Sequence, residues 1–306
     1  MESTPIDAGE VGRVFEGASA IPRVRDVLEL TKARLNALVL LTAFIGFYMG
    51  RNPAHAPFLF LAALIGTFMM ALGSGALNQW MERVLDARME RTAGRPLPAG
   101  RMSPRVAAFI GAGLCLAGAA ILALLVNPLT ALLGAVTVLI YLALYTPMKT
   151  RSIWNTVVGA VAGALPPVMG WTAATETLSL EAWCLFGILF LWQLPHFFAL
   201  AWRYRWEYRE VGFRMLPDID PRGGWTALAM VLSAGLLVPA VVGLFWIGAA
   251  GRLLLVGGLI LGVAYTLGAL GFLARRSDKA AMRAFLASLL YLPLLIGLIV
   301  LDPLFF

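Results

Sequence analysis

Residues 56–86 read APFLFLAALIGTFMMALGSGALNQWMERVLD. The 22 residues from Ala56 to Leu77 carry no charged side chain. About 20 such residues, wound as a helix, cross the hydrocarbon core of a bilayer. The character of the stretch then changes within a turn, at Asn78, Glu82 and Asp86, which recur every fourth residue and so share one face of a helix. A single segment thus predicts both a membrane span and a polar row at its end.

Similar apolar runs follow at Val106 to Val126 and Leu228 to Ala249. The 306-residue chain is 60% hydrophobic and only 13% charged, against about a quarter charged in an ordinary soluble domain. Its mean hydropathy is +0.82. These features exclude a soluble fold and predict an all-α, polytopic bundle embedded in the lipid bilayer, because only helices satisfy every backbone group within one lipid-exposed segment of this length. Charged or Gly/Pro-containing connections mark nine spans at about 35–50, 56–80, 104–126, 128–147, 153–173, 181–202, 224–248, 252–274 and 282–301. Residues 1–30 contain Pro5, Asp7, Glu10, Glu16 and Pro22 and no continuous apolar stretch, so they read as a partly disordered cytoplasmic tail ahead of one membrane domain, 31–306, and not as a signal peptide.

Basic residues set the orientation. The N-terminal segment through Arg34 holds five, and the second, fourth, sixth and eighth connections hold six, two, five and four, together 22 of the 24. Only Arg51 and Arg252 fall in odd-numbered connections. The N-terminus and the even connections are therefore expected in the cytoplasm and Phe306 outside. The same bias accounts for the net charge of +7 without a nucleic-acid partner. Cys115 and Cys184 are far apart within apolar runs and offer neither a disulfide framework nor a metal motif.

The positive-inside bias is nearly indifferent to Asp and Glu, so the acids of the second and sixth connections need another reason. Neighbours in the Asn78–Glu82–Asp86 row lie about 6 Å apart along a helix, close enough for an amide and two carboxylates to hold a hard cation such as Mg²⁺ together with substrate phosphate. The competing reading is a helix end laced with ion pairs, for example Asp86 with Arg83. Arg91, Arg95, Arg101 and Arg105 follow in or just after a turn-rich loop, and guanidinium forks match phosphate oxygens. The sixth connection places Tyr204, Glu207, Tyr208 and Glu210 near Arg203, Arg205 and Arg209, and its Arg214-Met215-Leu216-Pro217 echoes Arg95-Pro96-Leu97-Pro98, as in a weak duplication. The fourth offers Tyr145, Lys149, Ser152 and Asn155, although Lys149 alone would read as a snorkelling side chain. His196, after Pro195 near the cytoplasmic end of span six, suits an iron ligand, a proton shuttle or a satisfied core histidine. His55, in an opposite-face loop, reads as inert. Trp80, Phe197, Phe198, Trp202 and Trp206 suit either a cation-tolerant cavity or an interfacial aromatic belt.

The string Asn78-x-x-x-Glu82-x-x-x-Asp86-x-x-Met89-x-Arg91-Thr92-x-x-Arg95-Pro96-Leu97-Pro98-x-Gly100 resembles the first acidic motif of the UbiA-type intramembrane prenyltransferases, in the form typical of those that farnesylate protohaem IX. Tyr145-Thr146-Pro147 through Trp171, and Trp192-Gln193-Leu194-Pro195-His196-Phe197 through Pro217, carry the resemblance across most of residues 30–220. It implies nine helices around a central cavity capped by the second and sixth connections. It also implies transfer of the farnesyl group of farnesyl diphosphate to haem B in the inner membrane, possible hand-over to a haem A synthase, and Mg²⁺ as cofactor. Asn78, Glu82 and Asp86 would hold the metal, Arg91 and Arg95 the diphosphate and Lys149 the leaving group; His196 would serve the acceptor side. Arg151, Asn155, Tyr204, Glu207 and Tyr208 complete the implied substrate-binding set.

Glu82 stands where the motif usually has Asp. Tyr204 and Tyr208, with Glu207 adjacent, stand where relatives acting on aromatic acids carry a second Asp-x-x-x-Asp, which argues against a second carboxylate-bound Mg²⁺. The fourth connection reads Lys149-Thr150-Arg151, not Lys-Arg, which moves the second cation about 100° around a helix. Prenylation of a quinone precursor is the alternative within the fold, and an ion-coupled transporter the alternative outside it. The acids, all at helix ends on one face, disfavour transport.

Overall fold

The computed structural model describes residues 22–50, 54 and 56–302. Residues 1–21 of the expected tail, together with Arg51, His55 and Phe306, lie outside these. Among the described residues the chain is all-α, and nine helices are long and apolar enough to cross a membrane: α1 Ala33–Gly50, α2 Pro57–Asp86, α3 Pro104–Leu125, α4 Pro128–Met148, α5 Asn155–Thr175, α6 Leu180–Arg203, α7 Gly224–Trp246, α8 Arg252–Arg275 and α9 Asp278–Leu301. The sequence places each of them to within a few residues, with two differences that matter. Helix α2 does not stop near Trp80 but runs 30 residues to Asp86, so the polar row continues the span itself. Val24–Leu30, inside the stretch read as a tail, is a helix.

Local chemistry sets the helix starts. Pro57, Pro104 and Pro128 sit in the first turn, where the missing N–H costs nothing. Ser103, Asn127 and Ser277 accept from the backbone N–H of Val106, Thr130 and Ala280. Glu176 and Arg276 end α5 and α8 in the left-handed conformation. Helix α4 contains a π-helical turn, Ile140–Tyr145, a local widening that single-sequence periodicity does not signal.

Lipid offers no hydrophobic drive between helices, so close packing must hold them together. Gly66 and Gly73 of α2 face Gly118 and Gly111 of α3. A Cβ on Gly73 would stand 2.6 Å from the Gly111 carbonyl oxygen, and one on Gly118 the same distance from that of Gly66. Gly46 and Gly170 bring α1 and α5 together in the same way, each against the other helix's backbone. Helices α2–α5 pack as one set and α6–α9 as another, with α1 against α5 and the two sets joined through α5 and α6. The outer surface is apolar, with Phe109 and Leu124 82% exposed, as a lipid-facing side chain must be. Cys115 and Cys184 are free and half-buried.

Candidate active site

The last three turns of α2 present Asn78, Glu82 and Asp86 on one buried face, at 0%, 5% and 1% exposure. Each oxygen-bearing group meets a cation from a different segment. Lys32 Nζ donates to Asn78 Oδ1 at 2.8 Å, Lys149 Nζ stands 2.7 Å from Glu82 Oε1, and an Arg95 terminal nitrogen donates to Asp86 Oδ2 at 2.7 Å. The ion-pair reading of this helix end is right in kind, but its partners are long-range and not the neighbour on the helix. Arg83 instead donates to the Trp80 carbonyl at 2.7 Å.

Lys149 does not snorkel. Its ammonium points inward, over the rings of Tyr145 (4.7 Å) and Phe213 (5.6 Å). Burial opposes its charge, but Glu82, then Tyr145 and Tyr141, hold its pKa above the ordinary lysine value. Tyr141 and Tyr145 stack within the π-helical turn. Asn78 Nδ2 donates to Thr146 Oγ1 at 3.1 Å, so α4 also orients the first member of the row.

Lys32 is the member that sequence reasoning missed, because in the sequence it is one of five basic residues up to Arg34. It links Val24–Leu30 to α1 with φ +52°, a conformation that costs a residue with a side chain about 1 kcal/mol or more. The surroundings enforce it. Gln79 Nε2 donates to the Glu29 and Leu30 carbonyls, Asn36 Nδ2 to those of Thr31 and Ala71, and Arg101 bridges Asp26 and Glu29 at 2.7 and 2.8 Å. Burial, and then repulsion from Arg95 and Lys149, lowers the Lys32 pKa to about 7, with Glu82 and Asp86 opposing the shift.

Hydrogen bonds lock the three connections to one another. Arg214 N donates to the Lys149 carbonyl at 2.6 Å, and Asn155 Nδ2 to the Ser152 and Arg214 carbonyls, both at 2.7 Å. Arg91 N donates to Glu207 Oε1 at 3.1 Å, and its guanidinium lies over Tyr204 (5.2 Å) and Tyr208 (6.0 Å). Met89, Ala201, Val211, Phe213 and Met215 form a small apolar core beneath.

The structure thus brings together Asn78, Glu82, Asp86, Lys149 and Arg95, with Arg91, Tyr204, Glu207 and Tyr208 beside them. Asn155 acts here as a tie between loops. Arg151 is exposed, with no side-chain hydrogen bond or ion pair among the described residues. His196 lies apart, between α6 and α9, bonded to Ser288. Two other acids of the sixth connection are also engaged: Asp218 with Arg209 at 2.6 Å, and Asp220 with the backbone N–H groups of Gly224 and Thr226 at the start of α7.

Among the described residues no three His, Cys, Asp or Glu side chains converge. The row offers two carboxylates and an amide oxygen, an all-oxygen set that fits a hard dication sharing its shell with phosphate. Glu82 Oε1 meets Lys149 without a well-aligned hydrogen bond, so this buried oxygen retains lone pairs to give.

Residues 39–292 match the UbiA prenyltransferase family. The protoheme IX farnesyltransferase of Solibacter usitatus is 44% identical over 288 residues, covering 91% of this chain and 99% of that protein. That of Opitutus terrae is 42% identical, covering 92% and 95%. Among solved structures, digeranylgeranylglyceryl phosphate synthase superposes with a TM-score of 0.78 at 14% identity, covering 91% of this chain and 98% of that one. A UbiA homologue from Archaeoglobus fulgidus bound to DMAPP and Mg²⁺ gives 0.69 at 17%, covering 90% and 99%.

Proposed function

From the premise that this chain belongs to the UbiA prenyltransferase family, we propose that it transfers the farnesyl group of farnesyl diphosphate to a vinyl group of haem B, with addition of water, giving haem O and diphosphate. The observation that carries this reading is the buried row on α2, ringed by basic side chains from three other segments, at the end of a lipid-embedded bundle. The choice of acceptor rests on the relatives named protoheme IX farnesyltransferase and on the sixth connection. There Tyr204 and Tyr208 replace a second acid pair, and Glu207 is committed to Arg91.

Asn78, Glu82 and Asp86 would hold Mg²⁺, as the Mg²⁺ bound with DMAPP in the Archaeoglobus homologue suggests for this fold. When bound, the ion supplies charge neutralisation at the diphosphate oxygens. Arg91, Arg95 and Lys149 then face the leaving group. As the allylic C–O bond breaks, its electron pair passes to diphosphate, and these three fixed cations stabilise the growing negative charge. The rings of Tyr145, Phe213 and Tyr208, which lie against the Lys149 ammonium and the Arg91 guanidinium, would flank the carbocation left behind, and such rings suit a cation. The vinyl π electrons of haem B form the new C–C bond. Water adds to the resulting cation and loses a proton, leaving the hydroxyethylfarnesyl group.

The enzyme is a multi-pass membrane protein. We place it in the inner membrane with the N-terminus and even connections, and hence the site, on the cytoplasmic side, by the distribution of Lys and Arg. Its product, a haem bearing a farnesyl tail, would remain in the membrane for a haem A synthase. In this reading residues 31–306 form one membrane domain.

Incubation of the purified protein with haem B, Mg²⁺ and farnesyl diphosphate, followed by mass spectrometry of the extracted haems, tests the reading. A haem O mass that disappears with chelator is expected. Unchanged haem B with folded protein would transfer the reading to an aromatic acceptor.

A further inference from the structure

Helices α6 and α9 run antiparallel and are tied at two levels. Trp192 Nε1 donates to the Ser288 carbonyl at 2.9 Å, and nearer the loops Arg205 pairs with Asp278 at 2.7 Å. Between these ties α6 carries a strip that is not fully buried: His196, Leu200 and Arg203, spaced four and three residues apart and so on one face of the helix. The deep end of the strip is aromatic, with Phe285 of α9 and Phe197 against the His196 ring (centroids 4.7 and 5.4 Å apart). Its outer end is Arg203, seven residues and hence about 10 Å further along the axis.

Arg203 differs from its neighbours in the sixth connection. Arg205 is committed to Asp278 and Arg209 to Asp218, whereas the exposed Arg203 side chain makes no hydrogen bond or ion pair with any described residue. Its guanidinium lies over the Tyr204 ring at 5.7 Å, and the Arg91 guanidinium lies over the same ring at 5.2 Å. One ring therefore meets both a cation proposed for the diphosphate and a cation with no anion of its own.

A flat molecule that is apolar across its face and carboxylated along one edge matches this strip in order, with rings below and a guanidinium at the rim. Haem B is such a molecule, and its two propionates stand on the edge opposite its two vinyl groups. We propose that Arg203 holds a propionate of the acceptor haem, in the charge-assisted pair that a guanidinium fork forms with a carboxylate. The inference rests on haem being the acceptor. With a propionate at the rim, the vinyl-bearing edge would turn into the bundle, away from the loops. The contact would then select the acceptor and also the edge of it that is offered to the allylic cation.

Protohaem dimethyl ester keeps the iron, ring and vinyl groups of haem B and lacks both carboxylates, so it isolates the contact. The full-length protein in detergent micelles is titrated with each form, and binding is read from the Soret band. The wild type is expected to bind haem B about tenfold more tightly than the ester, the worth of one hydrogen-bonded contact to a charged group. In Arg203→Gln the affinity for haem B should fall to that for the ester, with the ester itself unaffected. Arg203→Lys should recover part of the preference, and the KM for farnesyl diphosphate should stay unchanged in both. A wild type that binds the two forms equally overturns the contact, and that comparison decides even where a variant misfolds. So does an Arg203→Gln protein that keeps the preference, that weakens both forms alike, or that loses affinity for farnesyl diphosphate instead. Protein that binds farnesyl diphosphate but neither form of haem would overturn the acceptor reading itself, a result distinct from haem bound with no preference for its carboxylates.

Discussion

Glu82 and Asp86 are buried carboxylates whose partners come from α4 and from the second connection, so their removal separates chemistry from folding less cleanly than a surface change would. Even so, Glu82→Ala or Asp86→Ala is expected to abolish farnesyl transfer while the protein remains in the membrane. Retained turnover in either, measured as haem O formed, would sink the metal assignment. Lys149→Gln removes one of the cations proposed to face the leaving group and should lower the rate by about 10²–10³. Asn155→Ala is of another kind. It deletes one hydrogen bond from the fourth connection to the sixth and one within the fourth, and at about 0.5–1.5 kcal/mol each their loss should lower the Tm of the solubilised protein. The row itself was legible in the sequence because a spacing of four is a helical face. Lys32 was not, since nothing in a string of basic residues marks the one whose backbone turns left-handed to aim at Asn78. Nor was the His196–Ser288 bond, which spans 92 residues.

At the scale of elements, the long contact between α2 and α3 depends on glycines that let backbones touch. Gly73→Ala places a methyl 2.6 Å from a backbone oxygen and 2.7 Å from the Cys115 N, neither of which can step aside. A loss of about 1–3 kcal/mol is expected, the usual range for overpacking. Gly113→Ala on the same helix α3 meets nothing within 4 Å and should leave the Tm unchanged or slightly raised. Equal effects would show that helix propensity, not packing, governs this pair. The spans were readable because length and apolarity suffice for that, whereas the π-helical turn of α4 and the extension of α2 to Asp86 depend on contacts with other helices.

For the whole molecule, orientation is the statement that sequence makes through one-sided charge. In a background with Cys115 and Cys184 replaced by Ser, an impermeant maleimide should label Leu178→Cys in intact cells, and Arg88→Cys only after permeabilisation. The reverse pattern would invert the topology and put the site on the other face. The structure adds that the row is closed by cations of the chain itself. One oxygen of each member of the row is engaged, by Lys32, Lys149 or Arg95, and two of these cations are ones the diphosphate would take. An arriving dication would therefore release the groups proposed to hold diphosphate, and an arriving diphosphate would release the oxygens proposed to hold the dication. The two ligands are thermodynamically linked: Mg²⁺ should tighten farnesyl diphosphate binding, by a factor of about 5–150 if the linkage is of ordinary size, and farnesyl diphosphate should tighten Mg²⁺ binding by the same factor. With the charges of row and ring mutually cancelled, the site would favour the pair over either ligand alone.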